Sequence, residues 1–239
     1  AQVAREADIV FLSLPSGREV ETVCRALLPL MRGAQSVVDL STSPVNLARV
    51  LARDFAAKGV DYADAPVART REAAEKGTLA IMVGAARPVF DRIRPFLAHC
   101  ASDISHCGDV GAGQMAKILN NMVLFQTVAA LGEALALAQS AGVDGKVMFE
   151  TLTTGSADSF ALRSHGVKAV LPGVFPERAF SARYALKDLS YALDLARENG
   201  LRLPGAETAE RYLQAAIEAG DGDAYWPVIS RHIEKAKTP

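Results

Sequence analysis

Lys117, Asn120 and Asn121 stand at i, i+3 and i+4 in the stretch GAGQMAKILNNMVLFQTVAALGEALALAQSAG, residues 111–142. In a helix that spacing puts one amine and two carboxamides on a single face. Ile118, Leu119, Met122, Val123 and Phe125 occupy the other faces and are expected to pack inward. An amine in a partly buried cleft titrates nearer neutrality and can protonate an oxygen that gains negative charge. Asn121 can hold the same molecule by donating from its amide. The alternative is a solvated first turn of an ordinary helix, and spacing alone does not separate the two.

Other segments carry polar groups at places where ligands bind. DLSTSP, residues 39–44, ends a strand and sets Ser41, Thr42 and Ser43 before Pro44. Those hydroxyls either cap the helix that follows or meet a ligand at the strand's carboxyl end. DAPVARTREAAEKGTLAIMVGA, residues 64–85, puts a second loop at the carboxyl edge, where open α/β sheets bind ligands. Lys187 and Asp188 lie in a helical stretch and read first as a solvated pair. His99-Cys100 and His106-Cys107 look like metal ligands. However, Ile104, His106 and Gly108 alternate as a strand, and His165 and His232 are distant in sequence, so no metal is expected.

The elements that must position these groups change character along the chain. Residues 8–15, 36–41, 61–67, 79–84 and 103–108 read as apolar strands covered on both faces, and amphipathic helices separate several of them. This alternation predicts an α/β, mainly parallel, doubly wound sheet. After Gly113 only helices follow, at about 113–141, 144–153, 159–171, 185–199, 205–219 and 226–236, with Gly142, Gly200 and Gly220 as terminators. The expected organisation is a partial dinucleotide-binding domain over 1–110, an interdomain helix over 111–142 and an all-helical domain over 143–239.

The chain has 239 residues, half of them hydrophobic, and a net charge of -1. Near-neutrality gives no electrostatic reason to expect nucleic acid or an anionic membrane as partner. No apolar run is expected to approach the roughly 20 residues of a membrane span. Three cysteines, Cys24, Cys100 and Cys107, give no disulfide framework and fit a reducing compartment, so the cytoplasm is expected. The chain opens as AQVAREADIVFLSLP, a helix end running into a strand already inside the pattern, and contains no G-x-G-x-x-G turn. In a nucleotide-binding sheet that turn belongs to the first strand–helix junction. The expectation is a fragment of a longer chain, with cofactor binding by these residues alone in doubt.

Taken together, DLSTSP, DAPV…GTLAIMVG, GAGQMAK with Asn120-Asn121, and LKDLSYALDLA occur in the order and at the distances of one family. The chain resembles, over essentially its whole length, the 3-hydroxyisobutyrate dehydrogenases among the β-hydroxyacid dehydrogenases. The resemblance implies a Rossmann domain joined to a helical domain, through which members usually associate as homodimers or homotetramers. It implies NAD or NADP as cofactor, and a small β-hydroxyacid or its semialdehyde as substrate. It makes Lys117 the general acid/base and Asn121, beside Asn120, the residue that holds substrate. It also sets Leu14, Pro15 and Thr42 beside the cofactor, Lys187 near it, and Phe180 as an aromatic that helps close the site.

Where most relatives continue DAPV with Ser-Gly-Gly for the substrate carboxylate, this chain has Ala68-Arg69-Thr70. Sulfolactaldehyde reductases of the family carry a similar Gly-Arg-Thr, which makes Arg69 an expected ligand for a sulfonate or another demanding anion. The phosphogluconate dehydrogenase branch has His-Asn at 120–121 and a larger helical domain, and imine reductases generally replace the lysine. Both fit less well. The reading from another class is a non-catalytic, shortened paralogue acting as a dimerisation or regulatory module.

Overall fold

The computed structural model describes residues 2–233. Two compact units divide the chain, Ala1–Leu119 and Asn120–Pro239. In the first, β1 (Ile9–Leu12), β2 (Ser36–Asp39) and β3 (Asp61–Asp64) pair in parallel, with Leu12, Asp39 and Asp64 level at their carboxyl ends. The two faces of β2 are buried against different clusters. Val37 packs with Val20, Leu51 and Phe55, from α2 (Gly17–Leu27) and α3 (Val45–Ala56). Val38 packs with Val89, Phe90 and Ile93 of α5 (Arg87–Leu97). Alternation of side chains along a strand produces this two-sided burial.

Polarity reverses beyond β3. The chain continues through β4 (Val67–Ala68) and runs antiparallel to β5 (Leu79–Gly84), in one register from Asp64↔Gly84 to Ala68↔Ala80. β6 (Ala101–Gly108) runs parallel to β5 on its other side. The sheet is mainly parallel, as expected, with an antiparallel edge where β4 and the end of β3 meet β5, and β6 is largely exposed rather than covered on both faces. The reversal carries β4 about 13 Å beyond Asp64, at roughly 3.3 Å per residue. The start of β5 thus stands on the same side as the carboxyl ends of β1–β3. The helix end expected at the start of the chain is α1 (Gln2–Glu6), and one short helix, α4 (Arg71–Glu75), escapes the periodicity.

The second unit is helical. α6 (Ala112–Ser140) lends it Phe125, Val128, Leu131 and Leu135. These pack with Phe149 of α7 (Gly145–Leu152), Leu189 and Leu193 of α8 (Ala182–Glu198), Leu213 of α9 (Pro204–Glu218), and Trp226. The predicted helix over 159–171 is a π-helix, Leu162–Val170. The predicted 226–236 is a 3-10 stretch, Trp226–His232, and residues 234–236 lie outside the described ones. Gly142, Gly200 and Gly220 adopt positive φ at helix ends, as expected.

Two expectations about α6 are corrected. By length and composition it is apolar enough to cross a membrane, contrary to the reading that no run approaches that length. Leu119 and Val123, expected to pack inward, are 41% and 57% exposed. A helix apolar on all sides reads as buried from sequence, yet only part of its circumference meets the core.

Candidate active site

The carboxyl edge of the first unit is built around two buried aspartates. Asp39 accepts the Ser41 N–H (2.9 Å), the Ser43 hydroxyl (3.2 Å) and the Tyr62 hydroxyl (3.3 Å). Asp64 accepts the N–H groups of Gly111 and Gln114, both at 2.7 Å, and so caps the start of α6. Burial pushes the Asp64 carboxyl up to about 6 against those two bonds, and burial raises Asp39 as well. Gly113 fits because it has no side chain. A Cβ there would stand 2.4 Å from the Met82 carbonyl oxygen and 2.7 Å from that of Asp64.

Around these anchors lie the expected cofactor-side residues. The Leu14 N–H donates to the Ser41 hydroxyl (2.9 Å), tying the loop after β1, with Pro15 exposed, to the loop after β2. Neither Ser41 nor Ser43 caps α3, which has Pro44 at its N-cap and no side-chain cap. That alternative is set aside. The Thr42 side chain is half-buried, and its hydroxyl has no hydrogen bond among the described residues. Lys117 is half-buried, one turn after Gln114.

The segment expected to take the substrate anion is only partly disposed for it. Ala68 is buried in β4. Thr70 is the N-cap of α4 and accepts the Ala73 N–H (3.4 Å). Arg69 has a left-handed backbone, φ +86°, strained for a non-glycine residue by about 1 kcal/mol. Its Nη1 donates to the Thr78 carbonyl (2.7 Å) and the Ser102 hydroxyl (2.8 Å), and its Nη2 to Asp103 (2.7 Å). The guanidinium, expected to meet an anion, thus has intramolecular partners on one edge. Among the described residues no partner occupies its Nε–H.

In the helical unit, Asn121 is buried and its Nδ2 donates to Asp188 Oδ2 at 2.7 Å. Asn120, exposed, donates to Asn121 Oδ1 (3.3 Å). Lys187 and Asp188, read from sequence as a solvated pair, are instead largely buried, with Lys187 Nζ 3.1 Å from Asp188 Oδ1. Lys187 also lies over the rings of Tyr184 and Tyr191, at 5.2 and 5.6 Å. Phe180 packs on Phe125 with ring centroids 6.1 Å apart. Among the described residues no group of three or more His, Cys, Asp or Glu side chains could hold a metal, and His106 Nε2 instead meets the Ala85 carbonyl at 2.8 Å.

The chain has known counterparts. Residues 1–108 match the family described as the NAD binding domain of 6-phosphogluconate dehydrogenase. Residues 111–227 match NAD-binding of NADP-dependent 3-hydroxyisobutyrate dehydrogenase. The chain is 36% identical over 224 residues to 2-(hydroxymethyl)glutarate dehydrogenase of Eubacterium barkeri, covering 92% of this chain and 74% of the relative. It belongs to the 3-hydroxyisobutyrate dehydrogenase family. The family's 2-hydroxy-3-oxopropionate reductase of Escherichia coli is 32% identical, over 92% of this chain and 75% of its own. The solved structure of Mycobacterium tuberculosis 3-hydroxyisobutyrate dehydrogenase with L-serine superposes with a TM-score of 0.90 at 30% identity, covering 98% of this chain and 82% of that one. Members of this family are NAD(P)-dependent hydroxyacid dehydrogenases, and NAD or NADP is the cofactor its modules bind.

The residues present fit part of such a cofactor. An unengaged threonine hydroxyl at the carboxyl edge of a parallel strand suits a ribose or carboxamide group. No G-x-G-x-x-G turn for the pyrophosphate occurs in the sequence. Sequence reasoning missed Asp64 and Gln114, and it undervalued Asp188. The available signal was a polar residue inside each apolar run: Asp64 ending a strand, and Gln114 opening an apolar helix.

Proposed function

We propose that this chain interconverts a small β-hydroxyacid and its semialdehyde or keto form, with Lys117 as general acid/base. The observation that carries the reading is the double anchoring of α6 by Asp64 and Gln114, which fixes Lys117 one turn from the edge of the parallel strands. The bound nicotinamide supplies or accepts the hydride. Lys117 gives a proton to the carbonyl oxygen in reduction and takes it from the hydroxyl in oxidation. Asn121, its amide oriented by Asp188, keeps a second N–H for the same substrate. We assign Leu14, Pro15 and Thr42 of the first unit and Phe180 and Lys187 of the helical unit to the cofactor, and Ala68, Thr70 and Asn120 to the substrate.

Arg69 extends the reading to the substrate's charge. Its inner edge is held by Thr78, Ser102 and Asp103, which leaves the Nε–H/Nη2–H edge for two oxygens of one anion. A sulfonate or a similarly oxygen-rich anion suits that edge. In this reading residues 1–110 serve the dinucleotide, 111–142 connect, and 143–239 form the helical domain. Exposed Val123 and Leu137 on α6 support self-association of the helical part. Free cysteines support a cytoplasmic setting.

The test is Lys117→Ala assayed with NADH and NADPH against a panel of carboxylate and sulfonate semialdehydes. A fall in kcat of about a hundredfold or more is expected. Unchanged turnover would remove the lysine from the chemistry.

A further inference from the structure

Gln114 is completely buried, yet its carboxamide is not spent within its own helix. Its Nε2 donates to the Ser41 carbonyl (2.7 Å) and its Oε1 accepts the Ser43 N–H (2.9 Å). Those groups belong to the two peptide units on either side of Thr42. One side chain therefore restrains both backbone torsions of Thr42. The flanking side chains are held too, Ser41 by Leu14 and Ser43 by Asp39, so the Thr42 hydroxyl remains the unengaged group of the turn. On the other side, Gln114 lies three residues before Lys117, and its own N–H is bound by Asp64.

We propose that Gln114 is a positioning residue that sets the register between Lys117 and Thr42, and so between the proton donor and the cofactor-facing turn. This rests on the function proposed above. Its two bonds are directional and opposite in kind, so only a group with a donor and an acceptor at that reach satisfies both. A buried carbonyl or N–H left without its partner is costly, so the turn must shift when the pairing is broken. Small displacements of reacting groups are enough to slow a transfer by as much as about a hundredfold.

Gln114→Glu keeps the shape and the acceptor but loses the donor when ionised, and regains an O–H donor when protonated. The experiment measures kcat and the primary deuterium isotope effect on kcat for this variant, wild type and Lys117→Ala from pH 5.5 to 8.5. Binding of NADH or NADPH and the thermal midpoint are read alongside. At pH 8 the Gln114→Glu variant is expected to lose at least about tenfold in kcat with a larger isotope effect. Its kcat relative to wild type is expected to rise as pH falls. A merely structural role would lower the thermal midpoint without that pH-dependent recovery or the isotope-effect change. If Gln114→Glu follows wild type at every pH while Lys117→Ala is inactive, the positioning role falls and the lysine stands. If Lys117→Ala keeps turnover, the proposed function itself falls. Gln114→Met, which has neither donor nor an equivalent acceptor, is expected to show the loss without recovery at low pH. Recovery in that variant would also overturn the proposal.

Discussion

Single residues here carry more than one kind of constraint, and His165 shows how a buried group reports itself through pH. Its Nδ1 lies 2.6 Å from the Tyr225 hydroxyl, its ring packs on Trp226, and burial depresses its pKa to about 4. The unfolded chain binds the proton near 6.5, so it takes up protons before the folded chain does. Stability associated with His165 is intact above about 6.5 and is lost as pH falls toward 4, by about 3 kcal/mol in all. Trp226 is the sole tryptophan, so its emission follows the same neighbourhood. Urea titrations read by that emission are expected to show the midpoint falling through this window, and His165→Gln to flatten the fall. A midpoint equally pH-dependent in the variant would rule out His165 as its source.

At the scale of elements, α6 depends on a contact that admits no substituent. Its second residue, Gly113, lies against the Met82 and Asp64 carbonyls and the Gly84 N–H at distances a Cβ cannot share. Gly113→Ala adds a helix-favouring methyl yet must push backbone apart, so a loss of about 2–4 kcal/mol is expected in chemical denaturation. A neutral or stabilising result would mean that α6 can slide on the strand ends. The sequence made α6, its lysine face and the strands of the first hundred residues legible, because periodicity and motif spacing are local. It hid the reversal at β4, since Val67-Ala68 reads the same whether its partner runs with it or against it. It also hid the π-helix, whose extra residue per turn leaves no mark in composition.

For the molecule as a whole, mild acid acts with opposite sign on one buried group in each unit. In the first unit the raised carboxyl of Asp64 makes the folded form bind its proton more readily, so its contribution improves as pH falls from about 6 toward 4. In the helical unit His165 works the other way over much the same range. Of the candidate site, the helix face that carries Lys117 was legible, and what two distant segments share was not. Asn121 with Asp188 and Gln114 with Ser41 are pairs that only the fold brings together. The reversed strand also has a kinetic meaning. β4 and β5 form a hairpin whose partners are neighbours along the chain, whereas Asp64 reaches Gly111 and Gln114 across 47 and 50 residues. Short-range pairing closes small loops at little entropic cost, so the hairpin is the natural early nucleus and the docking of α6 comes late. In pulse-labelled refolding, amides of Ala80 and Met82 are expected to become protected before those of Gly111 and Gln114. The proposed proton donor would then reach its place at the strand edge only in the last step of the chain's own assembly, so partly folded intermediates would lack the chemistry proposed for it.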